Sequence, residues 1–265
     1  INSDFKIKPN FVYIVPEYRK EITTEGGLKL KKNKTKLKKI ISRFKKRNIR
    51  TSLFINPSLK DVRLSKELKT DCIEIHTGKI ANLVKSKKNY ITELQKIKKC
   101  SILANNIGLE VHAGNGLDYK TTKFLTKIKQ IKEFNIGHFL VGESIFNGLP
   151  KVIKSFKKII SKFKKENIRT SLFINPSVDD IKISKQLGAD CVEIHTGRLA
   201  NLVKSNRYYL NEYKRIKKCS ILANNLSIEV HAGHGLDYKT THLLTQIKQI
   251  KEFNIGHYLI GESIF

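Results

Sequence analysis

The chain of 265 residues carries 52 lysines and arginines against 23 aspartates and glutamates, which gives a formal net charge of +29. It has no run of eighteen apolar residues and no charged start leading into an apolar stretch, so the sequence predicts neither a membrane span nor a secretory signal. Cys72, Cys100, Cys191 and Cys219 lack CxxC spacing and lie among apolar residues, which is typical of reduced core thiols in a cytoplasmic protein.

The positive charge suits nucleic acid, an anionic small molecule or a solvated basic surface. Most of the basic residues are lysines, however, whereas nucleic-acid surfaces also use the bidentate fork of arginine. The lysines are spread between apolar residues at helical spacing, as in KLKKIISRFKKRN (36–48). We therefore expect a solvated basic surface or anionic small-molecule ligands, and the composition argues against nucleic acid as a partner.

Short apolar runs alternate with amphipathic stretches along the chain. Predicted strands, each with its turn or loop, are FVYIVPE (11–17), TSLFINPS (51–58), DCIEIHTG (71–78), GLEVHAGNG (108–116) and NIGHFLVGESIF (135–146). Between the strands, ITELQKIKKCSILANNIG (91–108) predicts a helix that ends on Asn and Gly. This alternation predicts parallel βα units.

The second half of the chain repeats the first. Residues 38–146 (copy one) align with residues 157–265 (copy two) at a constant offset of 119 (157 − 38), without insertion or deletion. We expect an α/β fold, a TIM-type barrel or partial barrel built from two repeated (βα)4 units with parallel strands. The predicted divisions are 1–146, a junction helix at 147–156, and 157–265.

Candidate catalytic side chains lie at predicted strand ends, where parallel barrels carry their active sites. Glu193 and its copy-one counterpart Glu74 face one side of their strands, where a carboxylate can stabilise positive charge; the alternative is a Glu–His pair within the core. In HAGHG (231–235), His234 can donate a proton and the glycines let backbone N–H groups approach an anion. The alternatives are a tight turn with an incidental His or, as a weaker possibility, part of a metal site.

The last strand of copy two and an early loop offer phosphate contacts. In NIGHYLIGESIF (254–265), Gly256 and His257 lie near a rim, and barrels of this type often bind phosphate after their last strands. In ITTEGGL (22–28), Thr23 supplies a hydroxyl and the glycines supply a flexible loop.

Taken in order, VPEYRKEITTEGGL, TSLFINPS, DCVEIHTG, EVHAGHGLDY and EFNIGHYLIGESIF resemble pyridoxine 5′-phosphate synthase of vitamin B6 biosynthesis. Residues 1–146 resemble barrel strands four to eight of that family, and residues 157–265 resemble strands five to eight again. The resemblance implies a cytoplasmic TIM barrel that assembles as an octamer and uses neither metal nor cofactor. The implied substrates are a sugar phosphate and an amino-ketone phosphate. The family condenses 3-amino-2-oxopropyl phosphate with 1-deoxy-D-xylulose 5-phosphate to give pyridoxine 5′-phosphate, phosphate and water.

The resemblance also implies roles for individual residues. His234 matches the proton donor, and Glu193, with Glu74 as its twin, matches the carboxylate that stabilises the transition state. Thr23 matches a residue that contacts the deoxyxylulose phosphate. Positions matching contacts to the aminooxopropyl phosphate, together with their copy-one equivalents, are Gly235, Gly256, His257, Gly116, Gly137 and His138.

Two departures from the family pattern leave alternatives open. Asn115 replaces His234 in copy one, and an amide cannot donate a proton as an imidazolium does. The family's first three strands, with a His after the second and a Glu in the third, have no counterpart in these residues. The alternative is a catalytically inactive duplicated half-barrel, or a chimeric gene product, that at most binds phosphorylated ligands. In that alternative, eight repeated strands close the barrel and the N-terminal strand is left over.

Overall fold

The computed structural model of the chain describes residues 10–16, 26–136 and 149–255. Within these ranges, nine parallel strands form one closed barrel, paired in sequence order. The strands are β1 (Phe11–Ile14), β2 (Arg50–Ile55), β3 (Cys72–His76), β4 (Glu110–Gly114), β5 (Ile131–Ile136), β6 (Arg169–Ile174), β7 (Cys191–His195), β8 (Glu229–Gly233) and β9 (Ile250–Ile255). The predicted α/β fold with a TIM-type parallel barrel is confirmed, and the barrel is complete rather than partial.

The N-terminal strand is part of the barrel wall. Tyr13 of β1 lies opposite Ser52 of β2 on one side and Asn254 of β9 on the other. The idea that eight repeated strands close without it is therefore wrong for this structure. All four residues of β1 are buried, and pairing on both edges satisfies backbone groups that burial would otherwise leave unpaired.

Helices connect the strands and cover the barrel. In the described ranges they are α1 (Lys34–Lys45), α2 (Leu59–Glu67), α3 (Gly78–Lys85), α4 (Ile91–Asn106), α5 (Tyr119–Leu125), α6 (Leu149–Lys165), α7 (Val178–Leu187), α8 (Gly197–Lys204), α9 (Leu210–Asn225) and α10 (Tyr238–Leu244). The four strands of each copy have the same bounds at an offset of 119 (169 − 50 for β2 and β6). The repeat in sequence is thus a repeat in structure.

Local sequence explains where the helices begin and end. Asp118 and Asp237 cap α5 and α10, because their carboxylates accept hydrogen bonds from backbone N–H groups three residues on, at 2.7 and 2.8 Å. The predicted helix at 91–108 is confirmed as α4, and Gly108 follows it with a φ of 72°.

One predicted strand starts too late. The structure places β5 at Ile131–Ile136, whereas the prediction was 135–146, most of which lies outside the described residues. The pattern gave no strand at Lys132 and Glu133 because charged residues usually face solvent. In the structure, Glu133 is buried inside the barrel.

The apolar core lies between the barrel wall and the helices. Leu53, Ile73 and Val111 point outward from their strands into this layer, and the rings of Phe134 and Phe163 stack with centroids 4.9 Å apart. The four cysteines are buried free thiols, as predicted. Over the described stretches, no helix is both long enough and apolar enough to cross a bilayer.

Candidate active site

The carboxylate of Glu193 packs against the start of the loop that carries His234. A Cβ built on Gly233, the last residue of β8, would lie 1.9 Å from Oε1 of Glu193. Gly233 directly precedes His234, so the predicted carboxylate lies against the backbone at the start of the loop that carries the predicted proton donor. A side chain at this position would displace the carboxylate, which fills the space next to the glycine.

The loop after β8 adopts a left-handed turn. His234 has a φ of 75° and Gly235 a φ of 73°. The hydroxyl of Thr196, directly after β7, lies 2.7 Å from the carbonyl oxygen of Gly233 and 2.8 Å from that of His234. This clamp holds His234 in a backbone conformation that costs most residues about 1–2 kcal/mol, and the residue is exposed at the rim.

Three aromatic rings meet at this rim, from three neighbouring strand ends. The imidazoles of His195 and His234 stack, with centroids 4.5 Å apart and planes at 26°. The ring of Phe173 meets His195 edge-on at 5.4 Å and lies 6.4 Å from His234. A Cβ on Gly197 would come within 2.7 Å of His234 and 2.8 Å of His195, so this glycine leaves room for both imidazoles.

Copy one keeps the shape of the loop but not its acid. Asn115 has the same φ of 75°, and asparagine adopts this region more readily than most residues. Burial raises the pKa of Glu74 to about 8, although His112 and a hydrogen bond from Asn135 act in the opposite direction. Near pH 7, Glu74 therefore holds its proton, and its neighbouring loop offers an amide.

Below the rim, the inward faces of the strands carry charged side chains, which the sequence pattern did not predict. Arg169 lies 2.8 Å from Glu229 and 3.5 Å from Glu133, and Nε2 of His231 lies 2.8 Å from Glu229. The hydrogen bond with His231 lowers the pKa of Glu229 to about 2. Burial acts in the opposite direction, and Arg169 lowers the pKa further. Burial alone would lower the pKa of His231, but Glu252 and Glu229 outweigh it and raise that pKa to about 9.

The two histidines of HAGHG point to different places. His231 is buried in the interior network, whereas His234 is exposed at the rim. They therefore do not form the metal pair that their spacing allowed. The alternation of strand side chains is the signal that could have separated them, because Glu229 and His231 share the inward face of β8.

Strand β1 breaks the symmetry of this network. Glu133 lies directly opposite Arg169 in the register of β5 and β6. The equivalent residues of the other junction, Glu252 and Arg50, are separated by Phe11, which lies opposite both. Arg50 instead places its guanidinium 5.0 Å from the Phe11 ring. Burial raises the pKa of Glu252 to about 7, and its Oε1 has no hydrogen-bond partner in the described part of the chain.

Tyr13 has the same effect one layer higher. It separates Asn254 from Ser52, and Oδ1 of Asn254 and Oγ of Ser52 lack hydrogen-bond partners within the described residues. The hydroxyl of Tyr13 serves copy one instead: it contacts Nδ1 of His112 and donates to Oε1 of Glu133 at 3.1 Å. The inserted strand thus completes the polar contacts of copy one and interrupts those of copy two.

Two clusters, each with a partly exposed carboxylate, have donor atoms of the kinds that bind transition metals. In each, a thiol, a carboxylate and an imidazole lie within 4.8 Å of one another; the clusters are Cys72, Glu110 and His112, and Cys191, Glu229 and His231. An arginine already reaches into each cluster, with Arg50 3.2 Å from the first thiol and Arg169 3.3 Å from the second. These guanidinium groups supply the positive charge, so a metal ion would have to displace them.

The predicted phosphate-contacting residues fall partly outside the described ranges. Gly116 and Gly235 are described: each has a positive φ, and a Cβ on either would lie within 3.4 Å of an alanine Cβ in the facing helix. Both loops therefore bring bare backbone close to α3 or α8. Thr23, Gly137, His138, Gly256 and His257 lie outside the described residues.

A cavity of about 730 Å³ opens beside residues 26–32. Its lining includes Lys29, Lys31 and Lys32, and the N–H of Gly27 donates to Oδ1 of Asn56 at 2.9 Å on its wall. Asp61 also lines the cavity, so three lysines and one aspartate lie on its wall, close to the carboxyl-terminal end of β2.

The closed barrel of parallel strands places the chain in the class of TIM-type barrels. Active sites of this class lie at the carboxyl-terminal rim, where the structure places the His234 imidazole. The family model described as "Pyridoxal phosphate biosynthesis protein PdxJ" matches the chain twice, over residues 1–162 and 153–265. The chain belongs to this family, and the two matches correspond to its two copies.

Curated relatives carry the name pyridoxine 5′-phosphate synthase. The chain is 61% identical to the one from Pelagibacter ubique over 162 residues, which cover 61% of this chain and 68% of the relative. It is 40% identical to the one from Blochmanniella floridana over 162 residues, covering 61% of this chain and 65% of the relative. The chain thus spans about two thirds of the length of the relatives it matches.

Solved structures support the fold alone. Deoxyribose phosphate aldolase from Aeropyrum pernix superposes with a TM-score of 0.52 at 14% identity, covering 86% of this chain and 90% of the other. The 3-keto-L-gulonate-6-phosphate decarboxylase from Vibrio cholerae gives a TM-score of 0.52 at 14% identity, covering 77% and 86%.

Proposed function

We propose that copy two carries a pyridoxine 5′-phosphate synthase site. It condenses 3-amino-2-oxopropyl phosphate with 1-deoxy-D-xylulose 5-phosphate to give pyridoxine 5′-phosphate, phosphate and water. The observation that carries the proposal is the placement of the Glu193 carboxylate against Gly233, one residue before His234. Membership of the PdxJ family, and the name of the curated relatives, support the same activity.

In this proposal His234 and Glu193 have different tasks. His234 donates a proton to a departing oxygen, and its exposure at the rim lets substrate reach the imidazole. Glu193 is less exposed and stabilises the positive charge that develops while the ring closes. A positioned general acid contributes about 10²–10⁴-fold to a rate.

Charge and backbone supply the phosphate contacts. Gly235 brings main-chain N–H groups to the rim without a side chain, and the resemblance adds Gly256, His257 and Thr23. The net charge of +29 and the lysines beside residues 26–32 favour the approach of two doubly charged substrates.

The proposal includes assembly into a homo-oligomer, which the resemblance gives as an octamer. Two acid–base residues of the family, a His and a Glu, have no counterpart in this sequence. An intact family subunit beside this chain is the proposed source of those groups. Assays should therefore be run on the chain alone and mixed with a full-length relative whose own loop histidine is changed to alanine.

The test is product formation by the purified chain, with pyridoxine 5′-phosphate followed by chromatography and phosphate release followed in parallel. We expect His234→Ala to lower the rate about 10²-fold or more. Asn115→Ala, at the matched position of copy one, should leave the rate unchanged. Full activity of His234→Ala would contradict the role of His234. Phosphate binding without turnover, alone or in the mixture, would instead support the inactive duplicated half-barrel.

A further inference from the structure

We propose that His195 is a positioning residue that holds the imidazole of His234 in its working orientation. The inference rests on the proposed function of copy two, because it concerns the proton donor of that site. His195 acts here through the His234 ring.

The geometry of the rim carries this inference. His234 is exposed and lies on a loop, where an imidazole has two side-chain torsions to fix. Its stacking partner is His195, at a centroid distance of 4.5 Å, and His195 lies at the end of a strand that is hydrogen-bonded on both sides. The ring of Phe173 meets His195 edge-on at 5.4 Å. A ring fixed to the barrel wall thus supports a ring on a loop.

The neighbouring backbone is built to allow this stack. Thr196, the residue after His195, clamps the carbonyl oxygens at 233 and 234, so the strand that carries one ring also fixes the backbone that carries the other. Gly197 is the second residue after His195, and any side chain there would collide with both imidazoles. Three consecutive residues therefore serve the orientation of His234.

Copy one provides an internal control. His76 makes the same edge-on contact with Phe54, at 5.3 Å and 70°, and a Cβ on Gly78 would crowd it in the same way. The loop residue opposite it is Asn115. His76 therefore has the same phenylalanine and glycine neighbours as His195, without an imidazole to position.

Three variants separate positioning from chemistry: His195→Ala removes the ring, His195→Phe keeps a flat ring without nitrogen, and His76→Ala is the matched control. An aromatic pair favours the stacked orientation by about 2- to 10-fold, and misplacement of a catalytic group costs more than the lost population. We expect His195→Ala to lower kcat about 10-fold with little change in KM. His195→Phe should restore most of kcat, and His76→Ala should leave kcat unchanged.

The readout that does not need turnover is the NMR spectrum of the imidazole protons. The chain has 8 histidines, and His234→Asn identifies the His234 signals. Those signals should carry a ring-current shift that disappears in His195→Ala and persists in His195→Phe. If the shift disappears in His195→Ala but the unchanged chain shows no turnover, the stacking of His195 on His234 is supported and the proposed function is contradicted. Unchanged His234 signals in His195→Ala, or His195→Phe as slow as His195→Ala despite a retained shift, would overturn the positioning role.

Discussion

The buried carboxylate of Glu252 gives the sharpest test of how β1 affects the barrel. Glu133 and Glu252 occupy equivalent positions, but only Glu133 has Arg169 beside it and a hydrogen bond from Tyr13. Glu252 has His231, whose Nδ1 is 3.2 Å away without the geometry of a hydrogen bond. We therefore expect Glu133→Gln and Glu252→Gln to change stability in opposite directions at alkaline pH.

The size of the effect follows from the pKa of Glu252. A rise from the ordinary value of 4.5 to about 7 corresponds to about 3 kcal/mol, since each unit is worth about 1.4 kcal/mol. Because the folded-state pKa is raised, the folded protein loses stability as the pH rises from 4.5 through 7, and the full cost is present above 7. Glutamine does not ionise, so Glu252→Gln removes this cost. His231 shares charge with Glu252, and the figure is therefore an upper bound.

Urea unfolding at several pH values between 5 and 8.5 measures the difference. The stability of Glu252→Gln relative to the unchanged chain should increase with pH, by up to about 3 kcal/mol. Glu133→Gln should be destabilised by about 1–3 kcal/mol, because Tyr13 and Arg169 lose their charged partner. A gain for Glu252→Gln that is the same at pH 5 and pH 8.5, or an equal loss in both variants, would refute the idea that β1 deprives Glu252 of its arginine.

Two further predictions concern groups whose space or ionisation the fold controls. Gly233→Ala would bring a Cβ to 1.9 Å from Glu193, so the free energy of unfolding should fall by about 1–3 kcal/mol and activity should fall with it. Gly114→Ala, whose Cβ would lie 1.9 Å from Glu74, should lower the free energy of unfolding without lowering activity. Equal losses of activity in the two variants would count against copy two as the active copy. Burial raises the pKa of all four cysteine thiols, so iodoacetamide should label the native chain slowly at pH 8 and the unfolded chain fully. Rapid native labelling, measured by mass spectrometry, would contradict their burial.

The sequence predicted the repeat, the parallel barrel and most of its strands, because these depend on local periodicity. The helix at 91–108 and the strand at 71–78 followed directly from apolar spacing and turn residues. The position of β1 could not be predicted in this way, since pairing with both β2 and β9 depends on how the whole barrel closes.

The motifs predicted Glu193 and His234 as candidate site residues, but they did not predict what surrounds these side chains. The structure adds that the Glu193 carboxylate lies against Gly233, the residue before His234. The network below the rim was missed because a charged residue such as Glu133 usually marks a solvent-facing strand position, whereas Glu133 is buried in this barrel. Only the closed barrel shows that Glu133 and Arg169 satisfy each other.

The difference between the two copies can be assigned to side chains rather than to the backbone. β3 pairs with β4 in the same register as β7 with β8, and the turn residues Asn115 and His234 share a φ of 75°. Strand β1 lies at the β9–β2 junction, two strands away from the β7–β8 pair. Strand β1 changes the polar contacts below the rim. Tyr13 contacts His112 and Glu133 of copy one, whereas Glu252 of copy two has His231 beside it. The two copies therefore differ in the amide or imidazole on the loop and in the polar contacts of the carboxylates below it.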